Sequence, residues 1–207
     1  VPTVGGSLEL EPEGATMVAQ DHYEQLVATA EDVADAARLV ILPHFRKIGL
    51  HTDNKLSEGF DPVTEADRAA EVAMRAVLEQ RRPDDAILGE EFGNKPGSTG
   101  LTWVLDPIDG TRGFMSGTPT WGVLIALSDE TGPIFGIIDQ PYVGERFFGG
   151  FGRADWTGPH GGGTLQVRAG QALDNAILFT TFPEVGTPDE GAAFARVAQQ
   201  VKLVRYG

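Results

Sequence analysis

Two carboxylates stand three residues apart in the run DPIDGT, at positions 106–111, directly after an apolar segment. A buried strand would deliver Asp106 at its end, because Pro107 has no N–H with which to continue a hydrogen-bonded ladder. A tight turn would bring Asp109 close to Asp106, and like charges repel unless a cation lies between them. A hard divalent metal with oxygen ligands is the natural candidate. The alternative is a pair of ordinary surface turns, since Asp, Pro and Gly are all typical turn residues.

In the first interpretation, Gly110 would permit the unusual backbone angles and the close approach that an anion needs. A helix starting here would point the backbone N–H groups of Gly110, Thr111 and Arg112 at a phosphate.

Two acidic segments upstream offer further ligands. Glu90 follows the apolar residues 86–88, where it would supply a metal ligand or orient a water molecule; the alternative is a solvated loop. Asp67 lies three residues after Thr64, a spacing that predicts a capping box at a helix start. In the alternative, functional interpretation, Asp67 lies at the start of the helix and faces a metal or its water. Lys55 is a candidate anion contact, although an exposed lysine is usually just solvated.

Composition excludes several classes of protein. The chain has 207 residues and no cysteine, so disulfides, zinc–thiolate sites and thiol nucleophiles are excluded. Its formal net charge of -14 comes without a basic patch, which argues against nucleic-acid partners. No apolar run reaches the ~20 residues that span a bilayer. No signal peptide is visible, so we expect a cytoplasmic protein that does not bind membranes.

The periodicity predicts an α+β protein. We expect a flexible tail over residues 1–20, a helix starting at Asp21, and a second helix over residues 65–82 with Thr64 as its N-cap. Short strands joined by Gly- and Pro-bearing turns follow, and they predict an antiparallel meander. The predicted strands cover residues 86–88, 101–105, 121–127, 134–138, 146–148 and 165–167, with the glycines at 161–163 as a loop.

The last part of the chain looks like the start of a further domain. A boundary around residues 168–175 is followed by a predicted strand over residues 176–182, a helix from Pro188 to about residue 200 and a strand-like segment at 201–205. We therefore expect a first domain over residues 21–170 and the beginning of a C-terminal domain over residues 171–207. A domain that begins this way would continue, so the C-terminal half is expected to be incomplete.

Taken in order, three motifs resemble the inositol monophosphatase family of magnesium-dependent, lithium-sensitive phosphatases. The family pattern reads D-x-V-T-x-x-D, then G-E-E, then W-x-x-D-P-I-D-G-T. The chain matches it at residues 61–67, 89–91 and 103–111. The resemblance implies a layered α/β/α/β/α sandwich of the sugar-phosphatase type, often a homodimer, in which residues 21–170 hold metal and phosphate.

The resemblance also implies roles for single residues. Those that match metal ligands are Glu90, Asp106, Asp109 and the Ile108 carbonyl, with Asp67 at a third, weaker site. Thr111, together with Glu90 or Asp67, would orient the attacking water, and Gly110, Thr111 and Arg112 would bind the phosphate. Two or three Mg²⁺ ions are expected, with Mn²⁺ as a possible substitute. The reaction is hydrolysis of a small phosphorylated metabolite by a metal-activated water.

The residues after Thr111 bear on the substrate. Inositol monophosphatases typically continue T-N-F-x-x-G-F-P, whereas this chain has Arg112 and, before the next strand, Trp121-Gly122. That pattern resembles the histidinol-phosphatase branch and favours histidinol phosphate, a histidine-biosynthesis intermediate, over inositol-1-phosphate. The family's further metal-ligand Asp, in a W-D-x-A-like motif of its C-terminal half, has no counterpart here. A third hypothesis is therefore an inactive fragment that binds metal.

Overall fold

The structure is a computed structural model that describes residues 13–47, 52–54, 62–170, 172–181 and 186–207. It divides into two compact units, residues 1–165 and residues 166–207. The helices are α1 (Glu13–Ile41), α2 (Glu65–Arg81), α3 (Thr111–Ser116) and α4 (Pro188–Ala198). The strands are β1 (Thr52–Asn54), β2 (Pro62–Thr64), β3 (Ala86–Gly89), β4 (Gly93–Lys95), β5 (Thr102–Asp109), β6 (Gly122–Asp129), β7 (Gly132–Gln140), β8 (Glu145–Gly150), β9 (Arg153–Gly158), β10 (Gly161–Thr164), β11 (Ile177–Thr180) and β12 (Leu203–Tyr206).

Helix α1 presents one apolar face to the sheet. Its buried side chains recur every three or four residues, which is the spacing of one helix face; they are Leu26, Ala30, Val33, Ala34, Ala37 and Ile41. The helix begins at Glu13, eight residues before the predicted start, so the backbone of residues 13–20 is helical where we predicted a tail. Residues 1–12 lie outside the described residues.

Helix α2 begins as the sequence predicts. The Thr64 side chain accepts a hydrogen bond from the Ala66 N–H, and the Asp67 carboxylate accepts one from the Thr64 N–H, which is the reciprocal arrangement of a capping box. The helix ends at Arg81, just before Pro83, because proline cannot continue a helix. An ion pair between Asp32 and Arg81 joins α1 to α2.

The large sheet has eight strands in the order β10-β9-β8-β7-β6-β5-β3-β4. Strands β5 to β10 form one antiparallel meander, and its first four strands, β5 to β8, are those predicted from the short connections. Strand β3 pairs with β5 in parallel, which was not predicted. Strands β9 and β10 were also missed. Residues 161–163 belong to β10 rather than to a loop, and residues 165–167 are irregular rather than a strand.

The core lies between the sheet and the two long helices. Side chains alternate between the two faces of a strand, so Trp103 and Leu105 of β5 are buried while Val104, between them, is only half-buried. The buried face continues through the next two strands as Val123, Ile125, Leu127, Phe135 and Ile137. Burying side chains of this size contributes about 1.5–3 kcal/mol each. The opposite face carries an open apolar trough of about 550 Å³, in which Ile138 remains 49% exposed.

The second unit, residues 166–207, is built from two parallel strands, β11 and β12, linked through α4. A parallel pair needs such a crossover, and α4 starts at a second capping box, formed by Thr187 and Glu190. These elements agree with the predicted strand and helix, although β11 and β12 are shorter than predicted. The boundary at residue 170 stays a prediction. None of the helices in the described part of the chain combines the length and apolar character required to span a bilayer.

Candidate metal and phosphate site

The parallel pairing of β3 with β5 places Glu90 next to Asp106. Gly89 lies opposite Leu105 in the register of the two strands. Glu90 follows Gly89, and its backbone N–H donates to the Leu105 carbonyl oxygen over 3.1 Å. Because the carboxyl ends of parallel strands meet at one edge of a sheet, the two acidic residues meet there, although they are sixteen positions apart in the sequence.

A bulge at the end of β5 turns the next residues out of the sheet. Asp106 pairs with Leu124 and Asp109 with Gly122, so three residues on β5 span the distance of two on β6. Pro107 lies inside this bulge, where its missing N–H costs no ladder hydrogen bond. Asp106 therefore stays half-buried while Asp109 reaches solvent.

Helix α3 follows at once and is anchored by its aromatic residue. Gly110 caps it in the left-handed conformation, with φ of 84°, and a Cβ atom there would come within 2.7 Å of the Thr120 carbonyl oxygen. Phe114 is buried and its ring stands edge-on to Trp121, with ring centroids 5.0 Å apart. The Thr111 hydroxyl donates to the Ile108 carbonyl oxygen over 3.1 Å. The six residues from Asp106 to Thr111 thus have a fixed path.

Four carboxylates interact at this edge of the sheet. Burial raises the pKa of Asp106 from 3.8 to about 8, together with a hydrogen bond to Glu90 and the negative charges of Glu90, Asp109 and Asp67. Asp106 Oδ1 is buried and has no hydrogen-bond partner among the described residues. A buried carboxylate surrounded by like charges is unfavourable by itself, and a positive charge at this position would stabilise its ionised form.

A hard divalent cation suits this set of residues in chemistry and in charge. Asp106 offers a buried oxygen atom, while Glu90 and Asp109 are exposed and therefore accessible to an ion. Within the described ranges, no three Asp, Glu or His side chains stand close enough to form a finished metal cage. Ligation by this set would therefore need small movements of the exposed carboxylates, or oxygen atoms from the backbone.

Asp67 reaches the cluster from the first turn of α2. Its Oδ2 atom accepts hydrogen bonds from the Thr64 N–H over 2.9 Å and from the Thr64 hydroxyl over 2.5 Å. The capping interpretation and the functional one are therefore compatible, because Asp67 caps the helix and still contributes negative charge at Asp106. Arg112 lies on the exposed side of α3. Lys55 and Asp61 lie outside the described residues.

Sequence reasoning missed a buried carboxylate behind Glu90 and its partly exposed arginine partner. Glu71 of α2 is fully buried and pairs with Arg75 one turn later over 2.7 Å. The signal was present, because Glu71 occupies a position of the apolar helix face, between the buried Ala70 and Met74. A charged residue at such a position calls for a buried partner.

The whole described site falls within a region that matches a known family. The model of the inositol monophosphatase family matches the sequence over residues 22–204. The chain belongs to the inositol monophosphatase family. The resemblance drawn from the three motifs is thereby confirmed, and metal dependence is a property of this family.

Two curated phosphatases are equally similar to this chain in sequence. The chain is 38% identical to the chloroplastic bifunctional phosphatase IMPL2 of Arabidopsis thaliana over 197 residues, which are 94% of this chain and 55% of that protein. It is also 38% identical to a histidinol-phosphatase of Mycobacterium tuberculosis, covering 90% of this chain and 72% of that one. The chain thus spans between about half and three quarters of these two proteins.

The fold is shared with solved structures of the family. The structure of an inositol monophosphatase from Zymomonas mobilis superposes with a TM-score of 0.72 and 39% identity, covering 88% of this chain and 69% of that one. The predicted α+β sandwich is therefore confirmed. The family members named here are phosphatases of both substrate types at nearly equal identity, so relatedness does not choose between the substrates.

Proposed function

We propose that the chain is a hydrolase of phosphate monoesters that uses divalent cations, with Mg²⁺ as the metal and Mn²⁺ as a substitute. The observation that carries this proposal is the carboxylate cluster around Asp106, whose buried oxygen atom and raised pKa call for a cation. We assign Glu90, Asp106, Asp109 and the Ile108 carbonyl as ligands of two ions, with Asp67 facing a third.

The chain's own residues would hold the reactants in place. The cations that Glu90, Asp106, Asp109 and the Ile108 carbonyl would hold would supply an activated water and neutralise charge on the leaving oxygen. Thr111, whose hydroxyl already lies 3.1 Å from the Ile108 carbonyl oxygen, would orient that water together with Glu90 or Asp67. The backbone of Gly110 and Thr111 and the side chain of Arg112 would bind the phosphate. Positioning of this kind supplies most of the catalysis in phosphoryl transfer.

Histidinol phosphate is the substrate that we propose, and inositol-1-phosphate is the second candidate. The sequence clues were Arg112 and Trp121-Gly122. Trp121 is buried against Phe114, and a Cβ at Gly122 would come within 2.9 Å of the Asp139 carbonyl oxygen, so packing explains these two residues. The choice therefore depends on Arg112, which is exposed beside the proposed phosphate position. A homodimer and a cytoplasmic location stay predictions.

Phosphate release tests the reaction. The purified chain is incubated with Mg²⁺ and either histidinol phosphate or inositol-1-phosphate, and inorganic phosphate is measured. We expect turnover that disappears with chelator and falls at least about 100-fold in Asp106→Asn, since a ligand to the cations is lost. The exposed Asp84→Asn serves as the charge-matched control. Mg²⁺ binding without turnover of either substrate would favour the inactive metal-binding fragment and contradict the proposed hydrolase.

Replacing Arg112 tests the substrate choice. Arg112→Asn removes the proposed phosphate contact but installs the residue that inositol monophosphatases typically carry at this position. We therefore expect kcat/KM for histidinol phosphate to fall about 10-fold, the usual scale for losing one charged contact, and kcat/KM for inositol-1-phosphate to fall less. The exposed Arg196→Gln is the control. An equal loss with both substrates would mean that Arg112 contacts only the common phosphate, and the residue argument for histidinol phosphate would then fail.

A further inference from the structure

The carboxylate of Glu71 is directed at the turn that carries Glu90. Oε2 of Glu71 accepts the backbone N–H of Glu91 over 2.7 Å, and Oε1 accepts that of Phe92 over 3.2 Å. Arg75 donates from Nε to the same Oε1 atom over 2.7 Å, and from Nη2 to the carbonyl oxygen of Gly93. The pair thus binds three consecutive residues, 91 to 93, immediately after Glu90.

The residue before Glu90 is held by the same pair. A Cβ atom built on Gly89 would lie 1.9 Å from Glu71 Oε1 and 2.7 Å from Arg75 Nη2. The backbone of Gly89 therefore lies against the carboxylate, and no larger residue fits without displacing it. This gives a physical reason for glycine at the first position of the G-E-E motif.

Glu90 is thereby fixed from two sides. On one side its N–H donates to Leu105 of β5, one residue before Asp106. On the other side Glu71 holds the following turn, and Glu71 lies one helical turn after Asp67 on α2. Since the helix and the strand are both rigid elements, the separations among these three candidate ligands depend on the contact between Glu71 and the turn.

We propose that Glu71, with Arg75, is a positioning residue that holds the Glu90 carboxylate at the cation site. It contacts neither substrate nor cation and acts through the backbone of residues 89–92. This inference rests on the proposed function, because it takes Glu90 and Asp106 as ligands. A residue that orients a metal ligand typically changes metal affinity or activity by about 10–100-fold when it is replaced.

Binding of Mg²⁺ alone, measured by titration calorimetry, tests this role without any turnover. Glu71→Gln keeps the shape of the side chain but replaces one acceptor oxygen by an NH₂ group. We expect its Kd for Mg²⁺ to rise about 10-fold at a temperature where the protein is folded. Asp85→Asn is the matched control. Asp85 is another buried carboxylate paired with an arginine, but it lies at the opposite end of β3. We expect this variant to lose stability and to keep its Kd.

The outcomes separate the two proposals. Asp106→Asn is titrated in parallel: an unchanged Kd in that variant would overturn the proposed function. Weaker binding in Asp106→Asn with unchanged binding in Glu71→Gln would overturn the positioning role alone. Equal losses of affinity in Glu71→Gln and Asp85→Asn would show a merely structural effect and also contradict it. If Glu71→Gln does not fold, Arg75→Lys replaces it as the test. Lysine keeps the positive charge but cannot donate to Glu71 and to the Gly93 carbonyl at once, so Mg²⁺ binding should weaken several-fold; unchanged binding would overturn the positioning role.

Discussion

At the scale of single residues, Asp106 combines two unfavourable features. It is half-buried, and it faces the charges of Glu90, Asp109 and Asp67, which together raise its pKa to about 8. Other buried carboxylates of the chain have different surroundings. Burial also disfavours the charged form of Asp85, but hydrogen bonds from Arg82, Thr99 and Trp103 outweigh it and lower its pKa below 3.8. The contrast agrees with a stabilising role for Asp85 in the fold and with the ligand role that we propose for Asp106.

Metal-free protein should lose stability as the pH rises. The folded-state pKa of Asp106, about 8, lies above its ordinary 3.8, so the folded state binds the extra proton between these values. Its stabilising effect is complete below about pH 4 and is lost as the pH rises through about 8. In chelator, Asp106→Asn should therefore be more stable than the parent at pH 8 by about 1–2 kcal/mol, allowing for solvent screening, and this advantage should vanish near pH 4.

Thermal unfolding between pH 4 and pH 8 measures this difference, with a few degrees expected for a chain of this size. Asp84→Asn, at an exposed position, makes the same change of charge and should show no such trend. Added Mg²⁺ should reverse the order of stability at pH 8, because it binds only the parent tightly. Parallel curves for Asp106→Asn and the parent would contradict the raised pKa.

At the scale of elements, helix α3 is short, and its path depends on close contacts. Gly110 and Gly113 both lie against the Thr120 carbonyl oxygen, where Cβ atoms would come within 2.7 and 2.8 Å. Phe114 and Trp121 fix the helix in the core. Six residues cannot form a stable helix alone, so these tertiary contacts hold the segment in place.

Comparing alanine substitutions at Gly110 and Gly100 separates two contributions to the free energy of unfolding: the cost of a left-handed backbone and the cost of a steric clash. Gly100 has nearly the same φ, 83° against 84°, but nothing lies within 4 Å of a Cβ atom there. Gly100→Ala should cost only the left-handed backbone penalty of about 1–2 kcal/mol. Gly110→Ala should cost more than that and should also weaken Mg²⁺ binding, since Asp109 and Thr111 must shift. Denaturant unfolding and metal titration measure both effects, and equal costs at the two positions would refute the contact with Thr120.

At the scale of the whole molecule, the chain divides after Leu165. The first unit contains the large sheet and every described residue of the proposed site. Residues 165–170 are irregular and exposed, and Val167 is 97% exposed. Few contacts would need to break for a protease to bind this segment.

Trypsin should therefore cleave first after Arg168. Trypsin targets in the first unit include Arg75, which lies in helix α2, and Arg82, which directly follows that helix; both are held in ion pairs. Limited digestion followed by mass spectrometry should give a fragment ending at Arg168, and Arg168→Gln should remove that fragment. First cleavage inside α2 would show that the segment between the units is protected.

The sequence by itself determined the local features of this protein. The capping box of Thr64 and Asp67, the alternation of β5 to β8 and the three acidic motifs all depend on neighbours within a few positions, and the order of the motifs was enough to indicate the family. Strand β10 was missed because three glycines and a threonine carry no apolar alternation. Strand β9 was missed because it has only two apolar side chains, Ala154 and Trp156, which make too short a pattern. The early start of α1 was missed because its first turns show no periodicity.

Only the tertiary structure decided how the separate motifs meet. The parallel pairing of β3 and β5 places Glu90 beside Asp106. The sequence of one strand does not specify which strand it pairs with or in which register. The raised pKa of Asp106 comes first from its burial and then from negative charges, two of which, on Glu90 and Asp67, belong to other segments of the chain. The role that we propose for Glu71 rests on a hydrogen bond from a backbone N–H to a buried carboxylate twenty residues earlier in the chain. Electrostatic interactions and hydrogen bonds depend on the distances between atoms. For residues far apart in the sequence, only the tertiary structure gives those distances.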